Sequence, residues 1–205
     1  MSGALKSIGV LVSGRGSNLQ ALVDAARRGE LGGDVGVVGS NVETALALER
    51  ARAAGIPAVF RDHRGKKRED FDGEIVEILR AHHVDLVCLA GFMRLLSPVF
   101  IRAFPGRILN IHPALLPAFP GLDAQRQAWE HGAKVSGATV HLVDEGLDSG
   151  PIVAQEAVPV LSDDTPQTLA ARILEVEHCL YPRAVRIMLE GRCRVEGRRV
   201  LVEGE

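Results

Sequence analysis

Short apolar runs alternate with segments of helical periodicity through the first 91 residues of the chain. The predicted strands are 8–12, 35–40, 57–60 and 84–91, and the predicted helices between them are 17–29, 43–55 and 69–82. The last run, VDLVCLAG, is apolar throughout, which is typical of a strand covered on both faces. This alternation predicts an α/β fold: a single doubly wound, mostly parallel sheet with helices on both faces.

The pattern changes after Pro98. The predicted strands there are 107–112, 138–144 and 151–160, and the predicted helices are 123–132 and 166–189. Pro182 should break or kink the second helix, and a hairpin over 191–205 ends the chain. Because no linker, repeat or low-complexity segment interrupts the sequence, we expect one domain over 1–205, with halves of about 1–100 and 101–190 before the hairpin.

Composition excludes several classes of protein. Hydrophobic residues make up 46% and charged residues 24%, the balance of a folded globule, and the formal net charge of −2 provides no general attraction for nucleic acid or membrane. No apolar run is long enough for a membrane span, and the N-terminus lacks the pattern of a signal peptide. An odd number of cysteines at unrelated spacings predicts no disulfide framework, no structural metal and a cytoplasmic location.

The loop SGRGSN, residues 13–18, follows a predicted strand and opens a predicted helix. Backbone N–H groups and the positive end of the helix favour an anion at such a turn. A dinucleotide fingerprint would need glycine where Leu19 stands and an acidic residue near Ser40, and no Walker A lysine follows. The loop therefore predicts a site for a single phosphate, helped by Ser17, Asn18 and Arg15, with Ser17 capping the helix; a tight turn with steric glycines is the alternative.

Asn110 and His112 lie two residues apart in LNIHPALLPAFPG, residues 109–121. Side chains two apart on a strand point to the same face, and here they lie at the carboxyl end of the sheet, where open α/β folds bind ligands. An amide donor with an imidazolium can stabilise negative charge on a former carbonyl oxygen. The alternative is a turn-capping asparagine with a hydrogen-bonded core histidine.

Asp148 lies in the loop DEGLDSGPIV, residues 144–153. A carboxylate beside an imidazole favours the charged ring, fixes its tautomer and can pass on a proton. We expect His141, on the preceding strand, to be either a supporting residue behind the site or an ordinary core histidine. Because no GxSxG nucleophile pattern occurs, the trio Asn110, His112 and Asp148 predicts direct transfer between two bound substrates.

Five segments carry a resemblance to a known family: VSGRGSNLQAL (12–22), LAGFMRLLS (89–97), LNIHPALLPAFPG (109–121), GATVHLVDEGLDSGPIV (137–153) and EHCLYP (177–182). In this order and spacing they resemble the phosphoribosylglycinamide formyltransferases, folate-dependent enzymes of the formyl-folate transferase family. The resemblance runs over almost the whole chain. The middle segments are shared by formyl-folate enzymes in general, and SGRGSN points to the glycinamide substrate.

The resemblance implies a role for each matched residue. Asn110, His112 and Asp148 match the catalytic trio. Residues matching the site of glycinamide ribonucleotide are Gly16, Ser17 and Asn18 for its phosphate and Glu177 for its ribose. Residues matching the site of 10-formyltetrahydrofolate, the formyl donor, are Arg68, Met93, Arg94, Leu95, Leu96, Asp144, Glu145, Gly146 and Leu147.

The resemblance also bounds the partners and the alternatives. It implies small-molecule substrates, no metal, no nucleic-acid or membrane partner, and a monomer or homodimer. The family often has histidine where this chain has Asp123, so no role is assigned at that position. The alternatives are a formyltetrahydrofolate hydrolase, which usually carries an additional N-terminal regulatory domain, another formyl-folate transferase, and a sensor that binds without catalysis.

Overall fold

The computed structural model of the protein describes residues 6–204. Its strands are β1 (Lys6–Val12), β2 (Gly33–Ser40), β3 (Ala58–Phe60), β4 (Leu86–Leu89), β5 (Ile108–His112), β6 (Val135–Leu142), β7 (Ile152–Pro159), β8 (Cys193–Glu196) and β9 (Arg199–Val202). Its helices are α1 (Ser17–Arg27), α2 (Leu46–Ala53), α3 (Arg68–Ala81), α4 (Pro98–Ala103), α5 (Ala124–Glu130) and α6 (Pro166–Glu190).

All the strands belong to one sheet with the order β3-β2-β1-β4-β5-β6-β7-β9-β8. The strands from β3 to β5 in this order are parallel, whereas β6 is antiparallel to both β5 and β7. The order reverses between β1 and β4, because the chain moves outward from β1 to β3 and then returns to the other side of β1. Such a reversal leaves a crevice at the carboxyl ends of the strands, where α/β proteins bind ligands.

Helices cover both faces of this sheet, as the continuous apolar runs of the first strands predict. In β1, Val10 and Val12 pack in a core cluster with α1, α2 and α6. Leu11 points the other way, into a cluster with Phe71 of α3 and Phe100 of α4. The predicted α/β class, with a doubly wound and mostly parallel sheet, is therefore confirmed.

Most predicted elements are present within a few residues of their predicted bounds, and three details were wrong. Ser17 does not cap α1: Gly16 takes the N-cap position and no side chain caps the helix. Helix α4 was not predicted. Pro182 does not break α6, which is continuous, although a proline removes one backbone donor from a helix.

The end of the chain forms the predicted hairpin, from β8 and β9, and β9 adds to the sheet beside β7. The predicted hairpin ran to Glu205, which lies outside the described residues, as do residues 1–5 of the predicted domain. Between residues 6 and 204 no helix has both the length and the hydropathy that a membrane crossing needs.

Candidate active site

The phosphate loop predicted at 13–18 connects β1 to α1, and helix α2 packs against it. Gly16 has a φ of 74°, and a Cβ there would lie 2.6 Å from the Cβ of Ala47, so only glycine fits without a shift of the backbone. The N–H of Ala47 donates to the carbonyl of Gly14 at 3.2 Å, and Arg50 Nε donates to the carbonyl of Arg15 at 2.9 Å. These contacts fix the loop so that the N–H groups of the first turn of α1, which have no partners within a helix, face the crevice end of the sheet.

Asn18 and Glu177 meet beside this loop, although 159 positions separate them. Asn18 Nδ2 donates to Glu177 Oε2 at 2.7 Å, and both residues are buried. Burial raises the pKa of Glu177 above its usual value, and the hydrogen bond from Asn18 opposes this only in part. Within residues 6–204 the Asn18 Oδ1 has no hydrogen-bond partner, so it stands beside the carboxylate as an unused acceptor.

Strand β5 carries Asn110 and His112, and its antiparallel pairing with β6 places His141 directly opposite Asn110. The Nδ1 of His141 lies 2.9 Å from the carbonyl of Leu142, which can only accept, so Nδ1 carries a hydrogen. In the neutral ring Nε2 is then an acceptor, and it lies 3.2 Å from Asn110 Nδ2. His141 therefore orients the Asn110 carboxamide, and one of the two amide hydrogens stays available for a ligand.

His112 is 4% exposed and has an acceptor near each ring nitrogen. Its Nε2 lies 2.8 Å from the carbonyl oxygen of Phe119, and its Nδ1 lies 3.4 Å from Asp148 Oδ2. Burial lowers the pKa of His112 below its usual value, and this effect outweighs the Phe119 carbonyl and the Asp148 carboxylate, which both act to raise it. Asp148 therefore favours the charged ring, as expected, but burial outweighs it and the net shift favours the neutral ring.

A neutral His112 has a single N–H for these two acceptors. Whichever nitrogen carries the hydrogen, the lone pair of the other faces an oxygen atom. A second proton would satisfy both acceptors at once, so the surroundings of the ring are arranged for a charge that burial suppresses in the resting state. This arrangement suits a group that takes up a proton during a reaction.

Asp148 is held in a backbone conformation that asparagine and aspartate adopt more readily than other residues, with a φ of 47°. Its Oδ2 accepts a hydrogen bond from the N–H of Gly121 at 2.8 Å, and its Oδ1 lies 3.7 Å from His141 Nε2. Burial acts to raise the pKa of Asp148. A hydrogen on His141 Nε2, which the charged form of that ring carries, lowers it below its usual value together with the N–H of Gly121 and the neighbouring His112. The carboxylate is therefore ionised and lies between the two imidazoles.

The loop that carries Asp148 is shaped by its own contacts. Asp144 Oδ1 accepts hydrogen bonds from the N–H of Gly146 at 3.0 Å and from Ser149 Oγ at 2.7 Å. Leu147 is exposed, and Glu145 is exposed beside it. A cavity of about 360 Å³ opens on one side of Asp148, and Arg198 of the C-terminal hairpin, which lines it, donates to the Ser149 carbonyl at 2.7 Å.

The proline loop after His112 is held by residues that were not predicted as part of the site. Thr139 Oγ1 donates to the carbonyl of Ala114 at 2.6 Å and accepts from the N–H of Leu116 at 3.0 Å. Gln155 Nε2 donates to the carbonyl of Leu116 at 2.8 Å. Thr139 lies two residues before His141 on β6, so the two side chains point to the same face. This spacing is the sequence signal that could have identified Thr139.

The predicted folate residues at 93–96 lie between β4 and α4. Met93 and Leu95 expose 64% and 59% of their surface, which is unusual for large apolar side chains. Arg94 lies over the ring of Phe71 at 4.9 Å, and Leu96 packs on the α3 side of the core. Arg68 begins α3 with a half-exposed side chain whose Nη2 lies 3.9 Å from Glu69 Oε1, so the structure does not bring Arg68 to the predicted trio.

Among the described residues, no group of three or more His, Cys, Asp or Glu side chains could hold a metal ion.

Comparisons with known proteins agree with this geometry. The pattern of the formyl transferase family matches residues 6–185. The phosphoribosylglycinamide formyltransferase of Escherichia coli (strain K12) is 42% identical over 200 residues, which are 97% of this chain and 94% of that protein. The crystal structure of glycinamide ribonucleotide transformylase 1 from Symbiobacterium toebii is 55% identical, with a TM-score of 0.96, over 98% of this chain and 95% of that one.

Other relatives are much longer than this chain. The trifunctional purine biosynthetic protein adenosine-3 of Drosophila melanogaster is 51% identical over 189 residues, which are 91% of this chain. The match spans only 14% of the length of that protein.

Proposed function

Because the chain belongs to the formyl transferase family, we propose that it transfers the formyl group of 10-formyltetrahydrofolate to the amine of 5'-phosphoribosylglycinamide, in de novo purine biosynthesis. The observation that carries this proposal is the convergence of the trio: Asp148 touches His112 and lies beside His141, which in turn holds Asn110. We propose that residues 1–205 form one domain for this reaction, with the phosphate site in the first half and the donor site and trio in the second.

The acceptor substrate uses the loop at 13–18. Its phosphate binds the N–H groups at Gly16, Ser17 and Asn18, where the helix terminus favours an anion. Two acceptors, Glu177 and the unused Asn18 Oδ1, suit the hydroxyl groups of the ribose, because each hydroxyl can donate one hydrogen bond. This pairing supports a sugar phosphate as the acceptor substrate.

The donor substrate uses the exposed apolar side chains. Met93 and Leu95 from one segment and Leu147 from the other provide the apolar contacts for an aromatic ligand. The backbone of residues 144–147 offers polar contacts to the pterin edge, which the segment with Arg94 also borders, and Arg68 is the cation for the carboxylates of the folate tail. Leu96 acts from behind, since it packs on the core.

The chemistry follows from the surroundings of His112, where a neutral ring has one N–H for two acceptors. The substrate amine attacks the formyl carbon, a carbon–nitrogen bond forms, and negative charge develops on the formyl oxygen. The free hydrogen of the Asn110 amide stabilises this charge together with His112, whose ring becomes charged when it takes up the proton of the attacking nitrogen. Asp148 stabilises the charged ring, and the proton passes to the folate nitrogen as its bond to the formyl carbon breaks.

The test is whether release of tetrahydrofolate from 10-formyltetrahydrofolate requires glycinamide ribonucleotide. We expect strict dependence, with one formylated acceptor formed for each folate released. Release of formate in the absence of the acceptor would assign the chain to the hydrolases instead, since the same trio can activate water. Folate binding without any turnover would make it a sensor.

A further inference from the structure

Ser13 connects the phosphate loop at 13–18 to the segment at 91–97 that carries the proposed folate contacts. The N–H of Ser13 donates to the carbonyl of Gly91 at 3.0 Å. The N–H of Met93 donates to Ser13 Oγ at 2.9 Å. Ser13 thus binds this segment through both its backbone and its side chain, and a backbone N–H at a fixed position determines where the exposed Met93 side chain begins.

The hydroxyl of Ser13 is also held from the other side. Ser13 Oγ donates to Asn41 Oδ1 at 2.6 Å, and Asn41 is buried. A hydroxyl has one hydrogen to donate, so with Asn41 as its acceptor it faces Met93 with a lone pair. The hydrogen bond from Met93 is therefore specified by the Asn41 contact and does not depend on a freely rotating hydroxyl.

The same contacts continue to Arg94. Asn41 lies beside His63, with 3.3 Å between the Asn41 carbonyl oxygen and His63 Nδ1. His63 packs edge-on against Phe71 with 6.1 Å between ring centroids, and Arg94 lies over that ring. Ser13 and Asn41 therefore influence two neighbouring residues of the segment: Met93 through a direct hydrogen bond to Ser13, and Arg94 through His63 and Phe71.

The far end of the segment has a separate anchor. The N–H of Ser97 donates to Asp72 Oδ2 at 2.5 Å, and Asp72 is 1% exposed. With Ser97 fixed to α3, the end at residues 91–93 depends on Ser13. A ligand that holds the phosphate loop will then also hold this end.

We propose that Ser13 is a positioning residue that couples the two substrate sites, so that a phosphate bound at 13–18 tightens folate binding at 91–97. This inference rests on the proposed function. A bound phosphate restrains the loop further and, through Ser13, also restrains residues 91–93. Part of the entropy cost of folate binding is then already incurred, which gives positive cooperativity. Linkage requires that folate tighten the binding of the acceptor substrate by the same factor.

The test compares wild type with Ser13→Ala and Ser13→Thr, and uses tetrahydrofolate as a folate that cannot donate a formyl group. Its Kd is measured by calorimetry with and without glycinamide ribonucleotide. In wild type we expect the ribonucleotide to lower this Kd by about fivefold or more, the lower end of ordinary coupling between sites. In Ser13→Ala the factor should fall to within about twofold of unity, and Ser13→Thr, which keeps the hydroxyl, should restore most of it.

Ser7→Ala is the matched control, because Ser7 lies near the start of β1 whereas Ser13 follows its end, and Ser7 Oγ lies 3.4 Å from the carbonyl of His82. It should leave the coupling unchanged. In steady state, Ser13→Ala should raise KM for 10-formyltetrahydrofolate at saturating acceptor more than it lowers kcat, a split that general destabilisation would not produce. A wild-type factor near unity, or a Ser13→Ala factor equal to that of wild type, would overturn the inference.

This failure is distinguishable from failure of the proposed function. If the wild-type protein transfers formyl groups but shows no coupling, only the role of Ser13 is refuted. If it binds no tetrahydrofolate and releases none from 10-formyltetrahydrofolate, both the role of Ser13 and the proposed function are refuted.

Discussion

Asp148 and Glu177 are two carboxylates whose pKa values shift in opposite directions. Burial acts in the same direction on both, but their neighbours act differently. Burial raises the pKa of both groups. Glu177, on the long helix α6, receives one hydrogen bond from a neutral amide, and its pKa stays above the usual value. Asp148, on a loop, receives a backbone N–H and lies beside two imidazoles, and its pKa falls below the usual value.

Two differences favour the charged form of Asp148 over that of Glu177: Glu177 is the more deeply buried of the two, and Asp148 has more neighbours that stabilise a negative charge. An ionised Asp148 can stabilise a charge that appears on His112 and can pass on a proton. A carboxyl group such as Glu177, with few donors of its own, favours ligands that bring donors, and a sugar hydroxyl is such a ligand. The comparison therefore assigns reaction chemistry to one acid and substrate binding to the other.

The strongest test of this assignment is Asp148→Asn. Asparagine keeps the shape and can still accept from Gly121, but it cannot stabilise a charged His112. We expect kcat/KM to fall by about 10³- to 10⁴-fold, the upper part of the range for positioned proton transfer. Steady-state kinetics with both substrates measure the loss. Activity within about tenfold of wild type would show that the charge at this position has no part in the reaction.

The pH dependence of the same variant provides a second measurement. In wild type the acid limb of kcat/KM reports protonation of the resting His112, and we expect its midpoint below about 6.5, the usual histidine value. Asp148 acts to raise the pKa of His112, so the midpoint in Asp148→Asn should move further down. A midpoint that moves up would contradict the direction of this interaction.

Removing the Asn110 hydrogen bond to the formyl oxygen should reduce the rate less than removing the charge of Asp148. In Asn110→Ala the formyl oxygen loses its amide hydrogen bond, and we expect kcat to fall by about 10²- to 10³-fold. KM for the acceptor should change little, because the interaction forms mainly in the transition state. Single-turnover rates separate the chemical step from product release. A variant with a tenth of normal turnover would exclude Asn110 as the stabilising donor.

Much of the fold could be predicted from the sequence, because the apolar runs of β1, β2 and β4 are nearly continuous and these strands are largely buried. Helix α4 could not, since its six residues are too few to give a helical period. The N-cap at Gly16 is decided by contact with Ala47 on another helix, which no local pattern records.

The site was predictable to the extent that its residues lie in short motifs. Asn110 and His112 share a face because they are two apart on a strand, and Asp148 lies in the polar loop 144–153 that follows the next strand. The contact between His141 and Asn110 depends on the antiparallel register of β5 and β6. The pKa of His112 depends on how much water the whole fold excludes, so the nearby carboxylate alone gave the wrong direction.

A smaller effect is expected when the support of the donor is removed. His141→Phe keeps the ring shape but leaves Asn110 without the acceptor that orients it, which should lower kcat/KM by about five- to tenfold, the equivalent of about 1–1.4 kcal/mol. His141→Gln, whose amide oxygen reaches a similar position, should recover part of the loss. Equal rates for the two variants would show that His141 acts only by filling space.

The smallest effect on the rate is expected for Glu177→Gln, which should change kcat little and raise KM for the acceptor by about tenfold or less, as for one hydrogen bond.

Although Glu177→Gln weakens substrate binding, it should stabilise the folded protein at neutral pH. Since the folded pKa of Glu177 is raised, its contribution to stability is fully present below the unfolded value of about 4.3 and is lost as the pH rises through the folded value. At pH 7 the variant should therefore melt above wild type, by an amount that shrinks as the pH approaches about 4. Glu175→Gln, an exposed position on the same helix, is the control. A Glu177→Gln melting temperature below wild type at pH 7 would contradict the raised pKa of Glu177.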